Sequence, residues 1–567
     1  MNVQYAHHKS YVTNPGLLIS QQGSYYLWHT QKYSRYEGWH VPKDDTMLKI
    51  VDALVFDDTP THIVDAHRIQ WKGGAVQTFS MSTHSFATHV EHSTTPLRII
   101  LDCRDIYDFE PFERVYALIE TVQVHGQYET LIQYEKKGCY THFIALRTPY
   151  PIHFTHTWKA DEYPLEQQRH TQPTTWYVYE LGSISGQTYD VIIGVGNTPQ
   201  EAKAQLDTPR TPYTHTLQGS QQHIAYSLVQ QHLQHLFVKD KGLYAGLPWF
   251  FQFWTRDEAI SCGGLHVIGK QEWIHTILQR QKTQVCADGR FDNRFPASML
   301  GSADGIGWHA YRLLQHLQHV SEDEKKTWFS VLQQCVERLE QEYVHDDLIY
   351  SKPLETWMDT GFEDSVRDGA CIEIQVLHQC IHNALDALSL TYCGQNRLER
   401  IKQAFWNGTL LADRIHNGVA DYTIRCNGFL VYYLCPQLLT QQEWEVYMDE
   451  LLKHLWCPWG GISSLSHKDS RFHSAYTGES NESYHHGDSW YFINNMAALC
   501  LYRLNKEKYK FYWESILYAS TQEILHSGAL GHHAEVSSAS KQESMGCVSQ
   551  AWSMALFCEL YHEVYEK

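Results

Sequence analysis

The period of hydrophobic positions changes near residue 210. Before that point apolar residues come in short β-branched or aromatic runs, such as Trp176-Tyr177-Val178-Tyr179-Glu180-Leu181, His142-Phe143-Ile144-Ala145-Leu146 and Tyr189-Asp190-Val191-Ile192-Ile193-Gly194-Val195. Turn residues, among them Gly138, Gly182 and Gly186, bound these runs, as expected of strands. Many short strands with no helical period between them predict an antiparallel β-sandwich over residues 1–210. A stretch rich in Thr, Pro and Gln, 198–220, reads as a linker.

Beyond it the period is helical. In the last segment Val548, Ala551, Trp552, Ala555, Leu556, Leu560, Tyr561 and Val564 fall on one stripe at i, i+3, i+4 spacing. Comparable stripes lie near 221–238, 257–269, 271–283, 306–319, 323–343, 371–390, 396–407, 428–435, 441–455, 488–503 and 507–526. About twelve helices within 211–567 suggest a double ring of six inner and six outer helices, an (α/α)6 toroid. A helical bundle or solenoid competes, but no motif repeats at a fixed period.

Composition narrows the partners. With 45 basic and 64 acidic residues the formal charge is −19, which argues against nucleic acid and anionic membranes and leaves a neutral partner open. No apolar run reaches the roughly 20 residues of a membrane span. Met1-Asn2-Val3-Gln4-Tyr5-Ala6-His7-His8-Lys9 carries no apolar leader segment. The cysteines are scattered without CxxC pairs, so a reduced, cytoplasmic chain is expected, without disulfides or zinc. The histidines are also dispersed and form no HExxH, so neither a metal site nor a cofactor is expected.

Five segments between the helices are dense in Trp, Gly, carboxylates, Arg and His. They are 248–258, with Trp254, Arg256 and Asp257; 302–305, with Asp304; 355–359, with Trp357 and Asp359, followed by Glu373; 484–490, with His485 and Trp490; and 528–535, ending on Glu535, followed by Gln550-Ala551-Trp552-Ser553. Any one of these carboxylates could simply cap a helix. Five at successive helix ends suit a sugar site, where planar rings cover the apolar faces of a pyranose and carboxylates and guanidinium bind its hydroxyls. Hydrolysis then needs one protonated and one ionised carboxyl group. Asp359, beside Trp357 and Met358, is a candidate for a pKa raised by desolvation.

These motifs resemble the amylo-α-1,6-glucosidase part of glycogen-debranching enzymes, relatives of glucoamylases. The family's N-terminal pattern is similar to Gly23-Ser24-Tyr25-Tyr26-Leu27 and Ser34-Arg35-Tyr36-Glu37-Gly38. Its Pro-Trp-Phe … Trp-x-Arg-Asp motif matches 248–257, so the resemblance implies that Arg256 and Asp257 hold the outer hydroxyls of the departing glucose. Thr356-Trp357-Met358-Asp359 matches the motif of the general acid at all four letters. Ile372-Glu373-Ile374 resembles a hydroxyl-binding segment, and Arg425-Cys426-Asn427 an Arg-Pro-Asn segment with Cys for Pro. Tyr484, His485, Gly487 and Trp490 match a further motif. By its place before Gln550-Ala551-Trp552-Ser553, Glu535 is the implied general base, although His532, His533 and Val536 around it depart from the family pattern.

The resemblance implies an inverting glycoside hydrolase that releases β-glucose from α-1,6 branch points of glycogen-derived or related α-glucans. Asp359 would be the acid and Glu535 the base, with Trp254, Arg256, Asp257, Asp304, Trp357, Glu373, His485 and Trp490 binding the oligosaccharide or α-glucan substrate. An exo-α-1,4-glucosidase, another α-glucosidase, a non-catalytic carbohydrate-binding protein and a phosphorylase are the alternatives. No α-amylase-like barrel precedes the region, so 4-α-glucanotransferase activity is not expected.

Overall fold

The β-branched and aromatic runs pair as antiparallel strands. The computed structural model describes residues 15–29, 33–58, 60–65, 67–210, 218–298, 300–362, 366–389 and 396–567, without the side chains of 61–65 and 479. Residues 1–9, on which the expectation about a leader rests, lie outside that set. The chain divides into two units: Met1–Ser220 with Gln234–Lys239 and His526–Gly531, and Gln221–Leu233 with Asp240–Leu525 and His532–Lys567.

In the first unit one sheet has seven strands, in the order Gly16–Ile19, Tyr25–Trp28, Gly38–Lys43, Thr46–Phe56, Leu97–Asp105, Thr175–Ile184, His153–Glu162. The other has eight: Arg114–Val124, Gln127–Lys136, Tyr140–Thr148, Tyr189–Gly196, Ser85–Glu91, Val76–Met81, Arg68–Trp71, Pro60–Asp65. Leu18, Tyr26, Trp39 and Leu101 of the first sheet share one core with Phe79, Phe86, Ile144 and Val191 of the second. Along Val76–Met81 burial alternates residue by residue, as a strand with one face on a core requires. Ser34-Arg35-Tyr36-Glu37-Gly38 is a turn: the Glu37 carboxylate accepts the backbone N–H groups of Tyr33 (2.8 Å) and Ser34 (2.9 Å).

Two short helices, α1 (Pro164–Gln168) and α2 (Pro199–Ala204), also belong here. The second corrects the expectation of a plain linker over 198–220. Thr198 caps it by accepting the Glu201 N–H, and Pro199 needs no partner at the first helical position.

The second unit holds twelve helices among the described residues: α3 (Gln221–His235, whose last two residues lie in the first unit), α4 (Thr255–Val267), α5 (Gln271–Lys282), α6 (Gly305–His316), α7 (Glu322–Glu342), α8 (Ile372–Leu388), α9 (Leu398–Phe405), α10 (Asn427–Leu434), α11 (Gln441–Leu455), α12 (Tyr491–Asn505), α13 (Lys510–His526, whose last residue lies in the first unit) and α14 (Ala551–Tyr565). Each falls where the apolar stripes placed one. The even-numbered helices pack each on the next, from α4 through α6, α8, α10 and α12 to α14, and α14 returns to α4.

Two burial patterns explain this order. Helices α10, α12 and α14, apolar on most sides, are buried along nearly their whole length, and so is α4, whose buried first turn carries the charged Arg256, Asp257 and Glu258. The odd-numbered α5 and α7 bury one stripe each, Ile274, Ile277, Leu278 and Gln281 in α5 and Trp328, Leu332, Cys335, Val336 and Leu339 in α7. Close approach of α4 to α14 depends on Gly264, where a Cβ would come within 2.5 Å of the Ala555 Cα. Capping boxes at Ser321/Glu324 and Thr440/Glu443 start α7 and α11, each worth about 1 kcal/mol.

Among the described residues the cysteines are free thiols, and no helix is long and apolar enough to cross a membrane.

Candidate active site

Most of the segments singled out in the sequence meet at the N-terminal ends of the even-numbered helices. Trp254 precedes α4 and Arg256 and Asp257 form its first turn; Asp304 precedes α6, Trp490 precedes α12 and Gln550 precedes α14. Helix N-termini carry partial positive charge, a favourable setting for several carboxylates. The pairing of Ser489–Trp490 with Val536–Ser537 brings Glu535 beside the start of α12, where its carbonyl accepts the Tyr491 N–H (3.1 Å).

Arg256 organises one side. Its Nη1 donates to Asp304 Oδ2 (3.1 Å) and its Nη2 to Asp359 Oδ2 (3.0 Å). Ser302 Oγ donates to the other oxygen of Asp304. Asp257 is held by Gln550 Nε2 (3.3 Å) and lies in the field of both Asp359 and Glu535. Burial, reinforced by those charges against Arg256, pushes Asp257 up to about 7.

Asp359 behaves differently from the sequence expectation. Burial pushes its pKa up, but His485, with Nε2 3.9 Å from Oδ1, and the Arg256 guanidinium outweigh it and hold the carboxyl below its ordinary value. The indole beside Asp359 is visible in the neighbouring sequence, whereas Arg256 and His485 come from distant segments. With a side chain 30% exposed against 7% for Asp257, Asp359 is the more accessible of the two.

Glu535 is buried. Its Oε1 accepts the Tyr484 hydroxyl and its Oε2 accepts the Cys547 N–H (2.8 Å). A carboxylate oxygen carries two lone pairs, so such a group can hold a water molecule as well as the donors that orient it. Gly546 makes this position possible: its φ is +68°, and a Cβ there would stand 2.3 Å from Glu535 Oε2. Behind Glu535, His533 Nδ1 pairs with Glu523 (2.6 Å), which also accepts the Ala534 N–H (3.3 Å).

Aromatic rings support the acidic groups. His485 stacks on Trp490 (centroids 5.3 Å apart, 2° between planes), and Trp357 meets both edge-on. Trp490 donates its indole N–H to the Tyr484 carbonyl (2.8 Å). Trp357 is itself buried and donates to Asn427 Oδ1 (2.8 Å), so it anchors the Asp359 segment from below. Trp254 is half-buried at the start of α4.

Glu373 stands apart from this group. Both its oxygens are taken by Arg367, whose guanidinium also binds Asp413 (2.8 Å). Asn427 links Asp413 (2.7 Å) to Trp357. Glu373 therefore belongs to an ion-pair network one layer behind Trp357, where the expectation put it on substrate hydroxyls. The expected set omitted Tyr484, Gln550 and Asp488, the last buried and pushed up to about 8 by desolvation. All three lie inside motifs already visible in the sequence.

The family model for amylo-alpha-1,6-glucosidase matches residues 225–559. No curated protein matches the chain. Among solved structures, a bacterial glucoamylase complexed with acarbose aligns with a TM-score of 0.60 at 9% identity, covering 99% of this chain and 93% of its own. Weaker likenesses are to the GH63 mannosylglycerate hydrolase of Thermus thermophilus in complex with glucose (TM-score 0.45, 12% identity, 60% of this chain and 100% of that one) and to the glucoamylase of Saccharomycopsis fibuligera (0.40, 11%, 60% and 93%).

Proposed function

This chain belongs to the amylo-α-1,6-glucosidase family and is a glycoside hydrolase, and we propose that it releases glucose from α-1,6 branch points of an α-glucan with inversion, on an (α/α)6 toroid carrying an N-terminal β-sandwich. The closed packing order of the even-numbered helices and the likeness to a bacterial glucoamylase support the toroid. The observation that carries the chemistry is geometric: Arg256 pairs with Asp304 and Asp359, Asp359 faces His485, and His485 packs on Tyr484, whose hydroxyl holds Glu535.

Asp359 is the general acid in this reading. Arg256 and His485 hold it ionised in the free site. A bound glucose would draw the Arg256 N–H groups to its hydroxyls and displace solvent from the carboxyl, and both effects raise its pKa. Protonated Asp359 then gives its proton to the glycosidic oxygen as the C1–O bond breaks. Glu535, oriented by Tyr484 and the Cys547 N–H, takes a proton from water attacking C1 on the opposite face, and β-glucose leaves. Asp304, Asp257 and Arg256 bind the outer hydroxyls.

The raised pKa of Asp257 favours a second reading, in which Asp257 is the acid. Its burial and its position in the first turn of α4 weigh against contact with a leaving group, and access outranks pKa in choosing a general acid. Glucose release from a 6-α-glucosyl branched dextrin, compared with linear maltooligosaccharides, tests the linkage. Faster release from the branched substrate is expected, and preference for the linear one would assign an exo-α-1,4-glucosidase.

A further inference from the structure

Two imidazoles lie outside the active site and take no part in it. His378 and His382 stand four residues apart on α8 and therefore share a face. Glu340, near the end of α7, faces them, and one ligating atom from each of the three residues lies within 4.8 Å of the others. The two histidines are 3% and 2% exposed, and among the described residues His378 Nε2 has no hydrogen-bond partner. The distance from His382 Nε2 to Glu340 Oε1 is 3.6 Å, too long for a hydrogen bond. It is close to the edge, about 3.4 Å, of a tetrahedron whose ligands lie ~2.1 Å from a central ion.

We propose that Glu340, His378 and His382 form a three-ligand site for a divalent transition-metal ion of the zinc type, clamping α7 to α8 and leaving a fourth position for water. The nitrogen-rich ligand set suits zinc and its neighbours, and excludes magnesium and calcium, which take oxygen ligands. Burial keeps both imidazoles neutral, with His382 pushed down to about 4, and the neutral ring is the form that ligates. Asp386, one turn beyond His382 on α8, and Arg397 are further charged groups beside the site. Arg397 Nη2 donates to Glu340, the outer-shell bond that commonly orients a ligating carboxylate, and its positive charge weakens the affinity.

Cobalt(II) titrated into the full chain, freed of metal with a chelator, tests the site. One saturable equivalent should produce visible bands of a four-coordinate centre, zinc should displace it, and zinc should raise Tm. Glu340→Gln and His378→Gln should each weaken cobalt binding by at least about tenfold and remove the zinc-dependent rise in Tm, with glucose release unchanged. Glu340 is partly exposed, so its variant folds even if the His378 variant does not. No saturable visible spectrum with the unaltered chain, or equal cobalt affinity in the Glu340 variant, would overturn the proposal.

Discussion

Replacing Gly546 with alanine puts a methyl group against Glu535, the proposed general base, and should cost activity far more than stability. The added Cβ would stand 2.3 Å from Glu535 Oε2, whereas ordinary contact begins at 3.4 Å, so the carboxylate must move by about 1.1 Å. A misplacement of ~1 Å at a reacting group costs roughly 10²-fold in rate. Separately, alanine at a φ of +68° costs about 1–2 kcal/mol of backbone strain. Gly418 separates the two effects: its φ is +75°, and nothing lies within 4 Å of an added Cβ. Gly418→Ala should lose similar stability and no activity. The assay is kcat on the branched dextrin beside Tm for both variants. If Gly546→Ala keeps kcat within about threefold of the unaltered enzyme, the position assigned to Glu535 is wrong.

Asp359→Asn should nearly abolish turnover while glucose binding, followed by calorimetry, persists; Asp257→Asn should weaken binding and retain turnover, and the opposite pattern would make Asp257 the acid. The Asp488 carboxyl, pushed up to about 8 in the folded protein, binds its proton more tightly folded than unfolded. Its contribution to stability is therefore full below pH ~4 and is lost as pH rises toward ~8, by up to about 1.4 kcal/mol per pH unit. Asp488→Asn should flatten that loss in urea unfolding at pH 5 and pH 7.5, and an unchanged slope would contradict it. Asn427→Ala leaves the Trp357 N–H and an Asp413 oxygen without this partner, so a loss of about 3 kcal/mol and a fall in kcat are expected; full kcat would show that Trp357 does not position Asp359.

Much of this was legible in the sequence because it is local. Helix stripes, capping boxes and strand runs depend on neighbours a few residues apart, so all twelve helices of the second unit could be placed. The candidate site segments could be singled out for a related reason: a carboxylate or arginine beside indoles at a helix end is unusual as a solvated connector. What escaped depended on partners that no helix or strand period places beside the residue, whether a few positions away or more than a hundred. The Glu373 environment is set by Arg367 and Asp413, and the Asp359 pKa by Arg256 and His485, more than a hundred residues away in either direction. The same holds for Glu340 and the α8 histidines, which share no motif because they sit on different helices.

The central claim is that Asp359 and Glu535 act on opposite faces of an α-1,6-linked glucose. Proton NMR of the first turnovers on the 6-α-glucosyl branched dextrin tests it directly. The account predicts that the β-anomer appears first and then mutarotates. Initial release of α-glucose, or no release while linear maltooligosaccharides are cleaved, would contradict it.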